Sequence, residues 1–108
     1  MIVNFMSSKK TNYTMTEKMA IWPTDVAPWH FLPIKKKIGI EIKEKISTKR
    51  SGFCTIPVEV TIGNTVWKTS LFPDKYSGSY ILPVKAVVRK TEDIKAGDKV
   101  EFTIVLSA

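Results

Sequence analysis

The 108 residues carry a net charge of +7, a single cysteine and 44% hydrophobic side chains. That balance fits one domain with one core, and it excludes wholesale disorder, an intrachain disulfide and a four-cysteine zinc site. No apolar run approaches the ~20 residues that cross a bilayer. Met1-Ile2-Val3-Asn4-Phe5-Met6 is too short for a signal peptide and precedes its lysines, so a soluble, cytoplasmic protein is expected.

Residues 1 to 14 lack periodicity and read as a flexible N-terminal tail, leaving 15–108 as a single domain. Met15 to Trp22 alternates as a half-buried strand, with Met15, Met19 and Ile21 inward. A proline-bounded turn over 23–28 leads to a short strand from Trp29 to Leu32. Pro33 suits the first turn of a helix, where its missing N–H has no intrahelical partner. Ile34, Ile38, Ile42 and Ile46 then recur every four residues, predicting one apolar helical stripe that ends at Ser51-Gly52. Ile38-Gly39-Ile40-Glu41-Ile42 also alternates as a strand would, and Gly39 costs helix stability.

Phe53 to Ile62 is the clearest strand, with Ile56, Val58, Val60 and Ile62 facing inward. Pro57 lacks a ladder donor and demands an edge position or a bulge. Gly63-Asn64 fits a two-residue hairpin turn, after which Thr65 to Phe72 returns as a strand and residues 73–78 form a loop. Ser79 to Leu82 is a strand and Pro83 to Lys90 a short helix. Ala96-Gly97-Asp98 is a tight turn, and Lys99 to Leu106 a last strand burying Val100, Phe102, Ile104 and Leu106.

Two passages repeat. Phe31-Leu32-Pro33-Ile34-Lys35 returns 50 residues later as Ile81-Leu82-Pro83-Val84-Lys85, and Val58-Glu59-Val60-Thr61-Ile62 returns as Val100-Glu101-Phe102-Thr103-Ile104. Each half reads as strand, loop, short strand, Leu-Pro, helix and long strand. Neither half can bury its apolar face alone.

With Trp29-His30-Phe31-x-Pro33, Val58-Glu59-Val60-Thr61-Ile62-Gly63, Trp67-Lys68-Thr69-Ser70-Leu71-Phe72-Pro73 and Tyr80-x-Leu82-Pro83-Val84-Lys85 in order, residues 16 to 106 resemble a small bacterial domain of unknown function. That family is a double-split β-barrel often found beside YdeI/OmpD-associated modules. Its fold is similar to the AbrB/MazE swapped-hairpin proteins, and Leu82-Pro83 through Arg89, followed by Ile94-x-x-Gly97-Asp98-x-Val100, resembles the AbrB pattern. The resemblance implies a mainly β, pseudo-duplicated double-split β-barrel (AbrB-like) with two short helices. One chain then holds both halves, so a monomer is expected. The first half lacks the Gly-Asp turn before Val58, and no activity comes with the family.

No enzyme, metal or cofactor is predicted. His30 is the only histidine, Cys54 sits at the head of a core strand, and nothing brings the two together with a third, orienting group. Arg89 and Asp98 flank a turn and suggest a structural clamp, with anion capture as the less favoured use. The first functional expectation is a non-enzymatic binding module for a small molecule or a protein at the loop following Phe72. Trp67 and Tyr80 would wall a cleft there, with Asp74, Lys75, Tyr76 and Ser77 at its rim. The alternative is an AbrB-like nucleic-acid-binding or regulatory protein. It would use the cations concentrated in residues 35–50, which are Lys35, Lys36, Lys37, Lys43, Lys45, Lys49 and Arg50 against Glu41 and Glu44, together with Arg89. A common face for those cations favours nucleic acid; scatter around a helix disfavours it.

Overall fold

The computed structural model describes residues 12–22, 29–46 and 55–106. Residues 1–11 of the expected tail, the turn over 23–28, Ser51-Gly52, Phe53, Cys54, Lys49 and Arg50 lie outside the described residues. The elements are β1 (Asn12–Lys18), β2 (Ala20–Trp22), β3 (Trp29–Pro33), α1 (Lys36–Ile46), β4 (Ile56–Ile62), β5 (Thr65–Asp74), β6 (Ser79–Pro83), α2 (Ala86–Thr91) and β7 (Lys99–Leu106). The structure is mainly β, and neither helix is long and apolar enough to cross a membrane.

Alternation builds the sheet. In β4 and β7 every second side chain is buried, Ile56, Val58, Val60 and Ile62 against Val100, Phe102, Ile104 and Leu106. The strands pair antiparallel in the order β1-β7-β4-β5-β6-β3-β2, a sheet that curls into a half-barrel. Gly63-Asn64 makes the β4–β5 hairpin turn with Gly63 at φ +57°, a conformation that disfavours a side chain. β5 pairs with β4 along its first seven residues and with β6 along its last three. Met19 alone separates β1 from β2. Its N–H donates to Asp98 O (2.8 Å) and its carbonyl accepts from Gly97 N–H (2.8 Å), so the chain bends there from β7 to β3.

Several sequence expectations are corrected. The first strand opens at Asn12, so Asn12, Tyr13 and Thr14 belong to the sheet and not to a tail. Ile21 is exposed, because β2 lies past the bend at Met19 and pairs only with β3. Pro33 and Pro83 end strands, and both helices begin three residues later. Phe31 faces Pro83 and Pro33 faces Ile81. The bonds from Ile34 N–H to Tyr80 O and from Val84 N–H to His30 O flank these pairs, so each proline falls where the ladder asks for no donor. Pro57 belongs to a central strand, yet β7 pairs only with Val58 to Thr61, so no β4–β7 bond is lost at Pro57.

α1 lays Ile38, Ile42 and Ile46 on the core that holds Leu32, Leu71, Leu82 and Phe102. Gly39 is the point of closest approach to β6. A Cβ there would stand 2.9 Å from Ser79 Cβ and 3.3 Å from its Cα. Ser79 is fully buried and its hydroxyl donates to Ile34 O (2.9 Å). The residue that costs helix propensity is therefore the one that lets the helix seat.

Candidate binding surface

The expected cleft does not form between the two rings chosen for it. Trp67 stands opposite Val60, whereas Tyr80 stands opposite Pro73. Trp67 and Pro73 are six positions apart on β5, about 20 Å of extended strand. Trp67 is half-buried against the core, and Tyr80 is part of the core itself. The turn at 75–78 is a solvated tip, with Lys75, Tyr76 and Ser77 exposed. Asp74 Oδ1 accepts from Tyr76 N–H (3.2 Å) and Ser77 Oγ accepts from Ser79 N–H (3.1 Å), so both side chains shape the turn.

The helix lysines do not share a face. At 3.6 residues per turn, Lys36, Lys37, Lys43 and Lys45 spread over the whole solvent side of α1, with Ile40, Glu41 and Glu44 between them. Lys35 pairs with Glu17 (2.8 Å). Arg89 is a clamp, but not on Asp98. Its Nε donates to Val84 O (3.1 Å) and its Nη1 lies 3.4 Å from His30 Nε2, tying α2 back to β3. Asp98 instead accepts from Lys95 N–H (2.9 Å) within its own turn. The helical path over 85–89 carries the guanidinium back toward the strands and away from the turn that follows.

What the register does assemble is a run of aromatic rings. Trp22 faces Trp29 across β2 and β3, and Ala20 faces Phe31. On β3 these rings alternate with buried Leu32, and on β5 Phe72 follows buried Leu71, so Trp29, Phe31 and Phe72 occupy the side of the sheet away from the core. Trp22 and Phe31 have centroids 5.9 Å apart, Trp29 and Phe31 6.2 Å, and Trp29 and Phe72 6.1 Å. Interplanar angles of 47° to 75° mark tilted and edge-on contacts, the arrangement the ring quadrupole favours. Ile81, buried but outside the main core, pairs with Phe72 beneath them. Even so Trp22, Trp29 and Phe72 keep 45%, 39% and 38% of their surface open. Sequence reading missed this face because its members come from three strands; only Trp29-x-Phe31 is visible as a local signal.

A family model, the domain of unknown function DUF1905, matches residues 16–104. The chain belongs to the DUF1905 family. None of the curated proteins compared with it matches. The match runs from within β1 into β7 and so takes in the aromatic face of this DUF1905 domain and both helices. Elsewhere on the domain a groove of about 390 Å³ runs beside Ile62 and Lys99 and is lined by Glu92, Asp93, Asp98 and Glu101. Among the described residues no group of three His, Cys, Asp or Glu side chains is placed to hold a metal ion.

Proposed function

We propose that this DUF1905 domain is a small non-enzymatic binding module. It acts as a cytoplasmic monomer, and its contact surface is the aromatic face formed by Trp22, Trp29, Phe31 and Phe72 beside the 75–78 turn. One observation carries the reading: four rings joined in a chain of contacts, three of them more than a third exposed, on the side of a sheet away from its core. Monomers expose large contiguous apolar patches mainly where something docks, and Trp and Phe are enriched at such contacts. The surface adjoins the loop after Phe72 but replaces Trp67 and Tyr80 as the ring-bearing residues.

We further infer a duplicated, AbrB-like barrel, and the strand registers support it. Leu32 faces Leu82, and Thr61 faces Thr103, each pair being equivalent positions of the two sequence repeats. β5 bridges β4 and β6 as β1–β2 bridges β7 and β3. Trp67 opposite Val60 corresponds to Met15 opposite Phe102, and Phe72 opposite Ile81 to Ala20 opposite Phe31. The halves correspond strand for strand, at an offset of 52 residues from β1–β2 to β5, 50 from β3 to β6 and 42 from β4 to β7, so the helix-to-strand stretch is longer in the first half. Nucleic-acid binding through α1 has less support, because its lysines are scattered and mixed with glutamates.

Photo-crosslinking tests the surface. A benzophenone side chain placed at Phe72 or at Val66, exposed on the same strand and the same parity, should label a partner in cells from position 72 only. Equal labelling from both positions, or none from 72, would overturn the assignment.

A further inference from the structure

We propose that the aromatic face takes single-stranded nucleic acid, with bases stacking on Trp22, Trp29, Phe31 and Phe72 and phosphates meeting Lys36, Lys75 and Lys85. This rests on the reading of that face as the contact surface and goes further in naming the class of partner. Every large exposed side chain in the ring run is aromatic; no exposed Leu or Met joins it. Aromatic side chains are what single-strand binders offer to bases, because every base has a π-face and stacking needs no sequence. Neighbouring centroids are 5.9–6.2 Å apart, wider than the about 3.4 Å rise of a stacked strand. Bases would therefore be taken one at a time from an extended strand.

Charge completes the match. The chain carries +7, and Lys36, Lys75 and Lys85 are open to solvent on segments that adjoin the ring-bearing strands. Lys36 Cε lies over the turn at Gly78, 3.8 Å from where a Cβ would stand. Lys75 is on that turn, and Lys85 follows Val84, whose N–H bonds His30 O between Trp29 and Phe31. Glu17 on β1 is already paired with Lys35. Asp74, two residues beyond Phe72, accepts from Tyr76 N–H within its own turn, and Glu92, Asp93, Asp98 and Glu101 line a separate groove. A polyanion with flat apolar bases answers both halves of this surface. An acidic polypeptide answers only the charge, and it is the competing outcome.

The test is fluorescence anisotropy of the whole chain with labelled oligothymidylate and oligouridylate of roughly 20 nucleotides. Binding at about 50 mM salt should weaken strongly by about 200 mM. Trp29→Ala and Phe72→Ala should each lower affinity roughly 5- to 100-fold, while Trp29→Phe and Phe72→Tyr, which keep a ring and control for folding, should retain most of it. Lys36→Gln with Lys75→Gln should cut the salt slope by about two. Binding that survives ring removal, or that the ring-retaining variants also lose, overturns stacking. No oligonucleotide binding, with protein adducts still forming from position 72, overturns nucleic acid and leaves the contact surface standing. No binding and no adducts would remove both.

Discussion

Gly39 decides how α1 meets the sheet, and the sign of its substitution discriminates between local and tertiary control. In an isolated helix Gly39→Ala would gain about 1 kcal/mol. Here the new Cβ meets Ser79, so the variant should lose about 1–3 kcal/mol in urea unfolding. Adding Ser79→Gly should restore part of that loss; a stabilised Gly39→Ala would show that α1 has room to shift. Arg89 makes a second residue-level prediction. Arg89→Ala should lower the melting temperature more than Lys90→Ala, because its guanidinium holds Val84 O and His30. A double-mutant cycle should find coupling to His30 and none to Asp98; the reverse would reinstate the clamp first read from the sequence. Tyr13 supplies the pH dependence. Burial raises its hydroxyl pKa, helped by its hydrogen bond to Glu41 Oε2 (2.9 Å) and by that carboxylate's charge. The folded state keeps the proton while an unfolded tyrosine releases it near pH 10. Tyr13 therefore contributes its full stabilisation below about pH 10 and loses it as pH rises further. Tyr13→Phe should flatten the alkaline decline of stability, and unchanged slopes in the two proteins would rule the residue out.

At the level of elements, both halves fasten a long strand to a helix with a hydroxyl and a carboxylate. Tyr13 of β1 donates to Glu41 of α1, and Thr65 of β5 donates to Glu92 Oε2 (2.6 Å) just after α2. Thr65→Val should speed hydrogen exchange around α2 and leave α1 protected, with Tyr13→Phe doing the converse. Uniform acceleration from either change would mean that the helices do not open separately. Much of this architecture was legible in the sequence. Alternation in β4 and β7 placed all eight of their buried apolar side chains, and the four-residue spacing of isoleucines found α1. Failures came where a residue's meaning depends on its register partner. Pro33 looks like a helix start until Ile81 is seen opposite it. Trp67 and Tyr80 look like neighbours until β5 is found to separate them. Arg89 and Asp98 are near in sequence, but the turn after α2 takes Asp98 for its own backbone. The ring face was hidden for the same reason, since Trp22, Trp29 and Phe72 meet only through pairing of β2, β3 and the strands beyond.

For the whole molecule, the pairing of β3 with β6 and of β4 with β7 means that each half supplies the other's neighbours. Fragments 12–62 and 64–106, divided at the Gly63-Asn64 turn, should therefore be largely unfolded alone and regain β-sheet circular dichroism when mixed. If either fragment folds independently as a monomer, the halves are not interdependent. Light scattering of the intact chain should give the mass of one copy, because both halves of the sheet are already present; a dimer at low micromolar concentration would refute the monomer. The pairing of β1 with β7, which sets Asn12 opposite Val105 and Lys18 opposite Lys99, also has a consequence for biosynthesis. Among the described strands β1 has no ladder partner until β7 has left the ribosome. Until then β1 must wait with a bare edge, and closure joins residues 81 to 93 positions apart. Such long-range pairing places folding in the slow, millisecond-to-second class, and it makes the nascent chain a natural client for whatever shields unpaired strands during synthesis.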